Sequence, residues 1–262
     1  MKKITSLVLR TAGINCDAET VRALKLAGSD QVDLHHINRL KEEKSLFKKY
    51  DFIVIPGGFT YGDTVSAGKI LANETKFIFK EEMKDFLNRG KLLLGICNGF
   101  QVLVKSGILS DRKDSPQSYS LIRNDSKRFE CRWIYLKSTG SNFWTKGLPE
   151  VIALPIAHGE GKFVTDNKAT LNKLKDKSIA FRYCDANGNT DNISFPDNPN
   201  GSSLGIAGII DPTEQILGMM PHPERFVYEH QHPWYHTLRA NEKKIVPFGL
   251  QIFKNAVEKL KK

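Results

Sequence analysis

No apolar run in this chain is long enough to cross a bilayer, and no internal repeat or low-complexity tract interrupts it. The first residues are basic, but Arg10 cuts their apolar run before a secretory signal can form, so Ile4 to Leu9 reads as a first strand. The four cysteines, at positions 16, 97, 131 and 184, show neither C-x-x-C pairs nor other metal-ligand spacing. A chain of 262 residues has core enough to dispense with disulfide staples, so a reducing cytoplasm is the expected location. No Walker-type phosphate loop is present either. The formal net charge is +10, yet the lysines are scattered over expected helices and mixed with acids, the pattern of a solvated surface. Residues 1–262 are expected to form a single domain, because no serine- or proline-rich linker divides them.

One stretch stands out. Leu92 to Leu94 run into Gly95-Ile96-Cys97-Asn98-Gly99, and Phe100 to Val104 follow with apolar spacing suited to a helix on a sheet. Strand, sharp turn and helix place a cysteine at the apex of a nucleophile elbow, where glycines let the backbones approach closely. The helix that follows aims its free N–H groups and positive dipole end at the sulfur, which favours the thiolate. A small buried cysteine near a tight turn would explain Cys97 alone. The flanking glycines tip the balance toward a nucleophile.

Around that elbow the pattern is β-α-β-α-β. Asp17 is placed to cap a helix from Ala18 to Ala27, Val32 to Ile37 is a second strand, and Asp51 to Ile55 is a buried strand ending at Pro56-Gly57-Gly58. Ala67 to Leu87 reads as one long helix. In a parallel sheet the chemistry gathers at the carboxyl ends of the strands, so Gly58 and Cys97 should share an edge. Backbone N–H groups at Gly58 and Asn98 then form a candidate oxyanion hole, although Pro56-Gly57-Gly58 taken alone is an ordinary strand-ending turn. From Tyr119 onward, Leu121 to Leu136, Val151 to Ile156 and Ser178 to Cys184 alternate as antiparallel β segments. Phe248 to Leu260 closes the chain as an amphipathic helix.

Gly205 to Ile210 and Gln215 to Met220 pair about an Asp211-Pro212 turn and deliver Pro221-His222-Pro223-Glu224-Arg225. Prolines on both sides of His222 predict an extended segment with His222 and Glu224 on one face, a base beside its orienting carboxylate. His158 and Glu160, in Ala157-His158-Gly159-Glu160-Gly161, are open to three readings: a metal pair, a substrate contact or a hairpin tip. No further ligands have convincing spacing, so no metal site is assigned. The tail from Phe226 to His236, rich in histidine and aromatics, is expected to cover the sheet edge or meet a partner.

Gly95 to Gln101 and Pro221 to Arg225 together resemble the class I glutamine amidotransferases. Gly13-Ile14-Asn15-Cys16-Asp17, the segments 56–63, 124–132 and 155–161, and Asn198 to Ser202 narrow the resemblance to the glutaminase-subunit family of phosphoribosylformylglycinamidine synthase. The fold implied is α/β, a flavodoxin-like, mainly parallel sheet flanked by helices with an added antiparallel β layer. By the resemblance Cys97 attacks the side-chain amide of L-glutamine to form a thioester, His222 is the general acid/base, Glu224 orients it, and Gln101 lines the glutamine site. No cofactor is implied for this subunit. The implied partners are a synthetase subunit, which uses ATP and Mg²⁺ to convert formylglycinamide ribonucleotide to the amidine, and a small third subunit. Relative to shorter family members, extra residues lie around Ser110 to Tyr119, Ser138 to Leu148 and Glu229 to Val246.

Three alternatives compete. Another cysteine hydrolase of flavodoxin-like fold, such as a peptidase or deglycase, would usually place its histidine soon after the nucleophile, whereas here none follows Cys97 before His158. A nucleic-acid-binding module has only the net charge in its favour. An inactive interaction subunit has no need of all three catalytic residue types.

Overall fold

The computed structural model describes residues 2–109, 117–139, 142–174 and 178–262. Parts of the extra segments around Ser110 to Tyr119 and Ser138 to Leu148 therefore lie outside the described residues. Five short strands carry the parallel half of the main sheet: β1 (Thr5–Arg10), β2 (Gln31–His36), β3 (Phe52–Ile55), β4 (Leu92–Ile96) and, much later in the chain, β11 (Ile216–Met219). Every residue of β3, β4 and β11 is buried, as expected of strands covered on both faces. The helices between them are α1 (Asp17–Leu26), α2 (Ile37–Glu42), α3 (Lys69–Phe77), α4 (Lys80–Asn88) and α5 (Asn98–Ser106).

The antiparallel half comprises β6 (Glu130–Ser138), β7 (Val151–His158), β9 (Ile179–Cys184) and β10 (Ile206–Ile210). These strands continue the same sheet edge to edge, in the order β2-β1-β3-β4-β11-β10-β9-β6-β7. A separate pair, β5 (Tyr119–Ile122) and β8 (Lys162–Thr165), packs against α5 through stacked Phe100 and Phe163 rings, 6.3 Å apart. The helices α6 (Lys168–Leu174), α7 (Tyr235–Ala240) and α8 (Phe248–Lys261) complete the fold. Among the described residues no helix is long and apolar enough to cross a membrane.

Three local differences from the sequence reading have physical causes. The helix expected over Ala67 to Leu87 is two helices, because Phe79 leaves helical geometry (φ −110°, ψ 18°) and turns into the core against Phe47, ring centroids 5.3 Å apart. Leu121 to Leu136 is two strands, divided by a turn at 123–129 that Asn124 holds by donating to the carbonyls of Arg128 (2.9 Å) and His158 (2.8 Å). Helix α1 starts one residue early. Cys16 is its N-cap, and the Asp17 carboxylate accepts from Ala18 N–H and pairs with Arg10 instead of capping.

Register explains why two distant motifs meet. β11 lies parallel to β4 with Met219 opposite Ile96, and the Cys97 N–H donates to the Met219 carbonyl at 2.8 Å. The chain that leaves β11 toward His222 and the chain that turns at Cys97 therefore exit at the same sheet edge. β3 flanks β4 on the other side, with Ile55 opposite Gly95, which brings Gly57 and Gly58 to that edge as well.

Candidate active site

Cys97 sits between β4 and α5 with φ 51° and ψ −105°, a backbone conformation that a side chain adopts only under strain of about 1–3 kcal/mol. Close packing enforces it. A Cβ on Gly99 would overlap the Ile55 carbonyl, and one on Gly95 would lie 2.7 Å from the Gly99 carbonyl oxygen. The Cys97 side chain is 4% exposed, and its thiol donates to the Ala157 carbonyl at 3.5 Å. Asn98 opens α5 immediately after it, so its backbone N–H belongs to the unpaired first turn of the helix.

His222 and Glu224 are each 1% exposed, and Nδ1–H of His222 donates to Glu224 Oε1 at 2.6 Å. The extended segment expected around His222 is not what joins them. Pro223 to Arg225 form a 3-10 turn with His222 at its N-terminal end, and this turn folds the carboxylate back onto the ring. Burial opposes a charged imidazole, but the Glu224 carboxylate and then Cys97 overcome it, holding the His222 pKa well above its ordinary value. Nε2 of His222 is buried without a closed hydrogen bond, although Cys97 is near enough to act on the ring both by charge and as a hydrogen-bonding partner. Such a contact is loose, as acid/base pairs often are before substrate binds.

Behind this couple stand residues that the sequence reading left without a role. Cys16 Sγ lies 3.9 Å from His222 Nδ1, donates to Asn15 Oδ1 at 3.2 Å, and accepts from Arg225 Nη2 at 3.1 Å. Arg225 is anchored in turn on Glu19 at 3.0 Å. Burial pushes the Cys16 thiol up, so it stays protonated. Cys16, His222 and Glu224 are the one group of described residues with metal-like proximity, their ligand atoms all within 4.8 Å. Their donors are already engaged with one another and with the Arg225 guanidinium, a cation that repels a metal. Gly57 completes the packing: a Cβ there would meet His222 Cε1 at 2.6 Å and Cys16 Sγ at 3.2 Å. The sequence signals for this support are the motifs Gly13 to Asp17 and Pro221 to Arg225, and nothing in either tells that Cys16 lies beside His222.

Of the two candidate oxyanion donors, Gly58 lines a pocket of about 250 Å³ together with Cys97 and Gln101, whereas Asn98, the residue after the nucleophile, is buried behind that lining. Of the amides beside Gly58, that of Phe59 donates to the Gly13 carbonyl at 2.8 Å, which leaves Gly58's own N–H as the candidate there. Gln101 is held on both sides: its Oε1 accepts from Asn98 Nδ2 at 2.8 Å and its Nε2 donates to the Glu160 carbonyl at 2.5 Å.

His158 and Glu160 do not act as a metal pair. Asn124 Oδ1 accepts from the Gly161 N–H at 3.0 Å and lies 3.1 Å from His158 Nδ1, which assigns the ring proton to Nδ1. Burial, then the charge on His222, pushes the His158 pKa down to about 3. Its unfolded value is near 6.5, so between these values the unfolded chain binds the extra proton, and stability falls as pH drops through the window. We expect the urea midpoint to fall more steeply between about pH 6.5 and pH 4 in the wild type than in His158→Gln. His222, whose raised pKa acts with the opposite sign, is common to both proteins. Parallel pH slopes would show that His158 does not stay neutral in the fold.

The aromatic tail packs on β6, the strand inside the edge strand β7: Phe226 and His232 meet Trp133 at ring-centroid distances of 5.0 and 5.3 Å, while Trp234 remains exposed.

Comparison with known proteins follows the same lines. The model of the CobB/CobQ-like glutamine amidotransferase domain matches residues 3–258. The phosphoribosylformylglycinamidine synthase subunit PurQ of Methanococcus maripaludis (strain C5) is 42% identical, covering 96% of this chain and 97% of its own. The protein of the same name from Dehalococcoides mccartyi is 43% identical, covering 98% of each chain. Among solved structures, PurLQS from Thermotoga maritima contains a chain that superposes with a TM-score of 0.72 at 28% identity, covering 99% of this chain and 100% of that one.

Proposed function

Because the chain belongs to the CobB/CobQ-like glutamine amidotransferase family, we propose that its pocket hydrolyses L-glutamine to glutamate and ammonia through a thioester on Cys97. The chain is the glutaminase subunit of a phosphoribosylformylglycinamidine synthase, an enzyme of purine biosynthesis, and it works with a synthetase partner. The observation that carries the site assignment is the convergence, at one sheet edge, of a strained cysteine at a helix N-terminus with a buried His222–Glu224 couple.

The roles follow from that geometry. The Cys97 thiolate adds to the side-chain amide carbon of glutamine, and the developing oxyanion takes hydrogen bonds from the N–H groups of Gly58 and Asn98. His222 passes a proton to the departing nitrogen, which leaves as ammonia, and Glu224 holds the ring in the tautomer that can do so. A water molecule then gives its proton to His222 as it attacks the thioester, and glutamate leaves as Cys97 regains its thiol. Gln101, fixed at both ends of its amide, shapes the floor of the site.

The same reading sends the ammonia to the synthetase subunit, which carries the ATP and Mg²⁺ chemistry of amidine formation, with a small third subunit completing the assembly. No cofactor is needed in this chain, and four free cysteines suit a reducing cytoplasm. The test is intact mass after exposure to a diazo-ketone analogue of glutamine, followed by peptide mapping. We expect a single adduct at Cys97 that excess glutamine blocks. No adduct, even with the synthetase and its ligands present, would sink the glutaminase reading.

A further inference from the structure

A histidine that hands protons on must also be able to lose them, and the surroundings of His222 work against this. The Glu224 carboxylate lies 2.6 Å from Nδ1, both groups are buried, and among the described residues its second oxygen, Oε2, meets no hydrogen-bond donor. A buried carboxylate that is only half satisfied holds the neighbouring proton tightly, and Cys97 adds to the hold. An imidazolium held so firmly serves poorly as the acid that protonates a departing nitrogen. It serves no better as the base that later takes a proton from water.

The fold sets a cation against this hold. The 3-10 turn that folds Glu224 onto the ring also carries Arg225, whose Nη2 donates to Cys16 Sγ at 3.1 Å, and Sγ in turn lies 3.9 Å from His222 Nδ1. The protonated thiol keeps the guanidinium near enough for its charge to act on Glu224, while the ion pair that Arg225 makes is with Glu19, at 3.0 Å. Glu224 is thus not drawn off the ring. Glu19 stands on α1 and is partly exposed, so it anchors the side chain and cancels only part of its charge. The other titratable groups that face the ring are Cys97, at the elbow, and His158, from β7, which stays neutral in the fold. The β7 main chain takes the His222 N–H at the Pro155 carbonyl (2.8 Å), and α8 meets the turn with Gly249, which brings no charge.

We propose that Arg225, held off by Cys16, is a positioning residue that sets the proton affinity of the His222–Glu224 couple: its charge steadies the Glu224 anion, opposes the imidazolium, and lets His222 release its proton in the working pH range. This rests on the glutaminase reading and adds to it a residue that touches neither the substrate nor the nucleophile. Glu19, by cancelling part of the guanidinium charge, pulls the other way. Removing the cation and removing its counter-ion therefore move the couple in opposite directions. Loss of packing alone has no reason to do so.

The first measurement is an NMR titration of the full chain, isotope-labelled at the histidine Cε1 carbons, in a Cys97→Ala background so that the nucleophile's own titration does not intrude. The signal missing from His222→Gln assigns the ring. Arg225→Gln keeps a donor for Cys16 and is expected to raise the His222 midpoint by about one pH unit, the effect of one partly screened charge close to the couple, and Arg225→Lys to restore about half of the difference. Glu19→Gln can still accept from Arg225, and it should lower the midpoint by about 0.5 unit. In the assembled complex with intact Cys97, glutamate release by Arg225→Gln at about pH 7 should fall roughly 3- to 10-fold and recover as pH rises, with KM for glutamine within about 2-fold, because thioester hydrolysis needs the neutral ring. Midpoints that stay within about 0.2 unit of the parent in both variants, or that move the same way in both, would overturn the proposal. Opposite shifts beside an unmoved pH profile of glutamate release would overturn it as well, since the couple's proton affinity would then not govern the rate. A wild-type complex that releases no glutamate would instead overturn the glutaminase reading, and with it the use assigned to the shift.

Discussion

Cys97→Ala is expected to lower glutamine-dependent synthesis by the assembled enzyme at least about 10⁴-fold, the scale seen when a covalent nucleophile is removed. Ammonia-dependent synthesis should persist at the wild-type rate, because the synthetase chemistry has no use for this sulfur. The reasoning is geometric. The sulfur stands at the apex of a turn that no ordinary side chain favours, its neighbours are committed to holding it there, and His222 and Glu224 are buried beside it. Nothing else in the pocket is a substitute: Cys16 lies on the Glu224 side of the imidazole, protonated and bonded to Arg225 and Asn15. Steady-state rates with glutamine and with ammonium salt as donors decide the matter. Loss of both in a complex that still assembles would mean that ammonia is not made separately, and survival of the glutamine rate would move the nucleophile elsewhere.

The elements that position this chemistry were legible in the sequence to the extent that they obey local rules. Buried strands at 52–55 and 92–96, the pair about Asp211-Pro212 and the Gly95-x-Cys97-x-Gly99 elbow all announce themselves by apolar runs and turn residues. What was not legible depends on contacts between distant segments. The break at Phe79 follows from a ring that finds Phe47 in the core, a preference that helical periodicity does not contain. The pairing of His222 with Glu224 was foreseen from an extended chain and is achieved by a turn, because Pro223 starts a 3-10 turn as readily as it prolongs a strand. Cys16 and Arg225 support the imidazole from positions 209 residues apart. The functions of His158 and Glu160 divide only once the fold is seen, with His158 bonded to Asn124 of the 123–129 turn and the Glu160 carbonyl holding Gln101.

Gly99→Ala should damage both the fold and the chemistry, through the smallest change that the elbow can suffer. A methyl group at this position overlaps the carbonyl of Ile55, a backbone atom in the middle of the sheet with no rotamer to escape into. The helix α5 must then lift away from β3, and every group that it positions lifts with it: the Asn98 amide, the Asn98–Gln101 bond, and the Gln101 bond to Glu160. Overpacking of this kind costs typically 1–3 kcal/mol, and a clash with the backbone of a buried strand, which cannot turn aside as a side chain can, belongs near the top of that range, at about 3 kcal/mol. Gly95 makes the same argument from the strand side, since its own Cβ would press on the carbonyl of Gly99 at 2.7 Å. The two glycines are thus one device: they let a helix start almost in contact with two strands, and the price of that closeness is the strained backbone of Cys97. Urea denaturation measures the first consequence and the rate of Cys97 labelling by the diazo-ketone the second. A variant within about 0.5 kcal/mol of wild type and labelled at an unchanged rate would mean that the close approach of α5 to β3 is not what requires glycine here. A stable variant with slowed labelling would instead separate the two effects, showing that the sheet tolerates the lifted helix while the nucleophile does not.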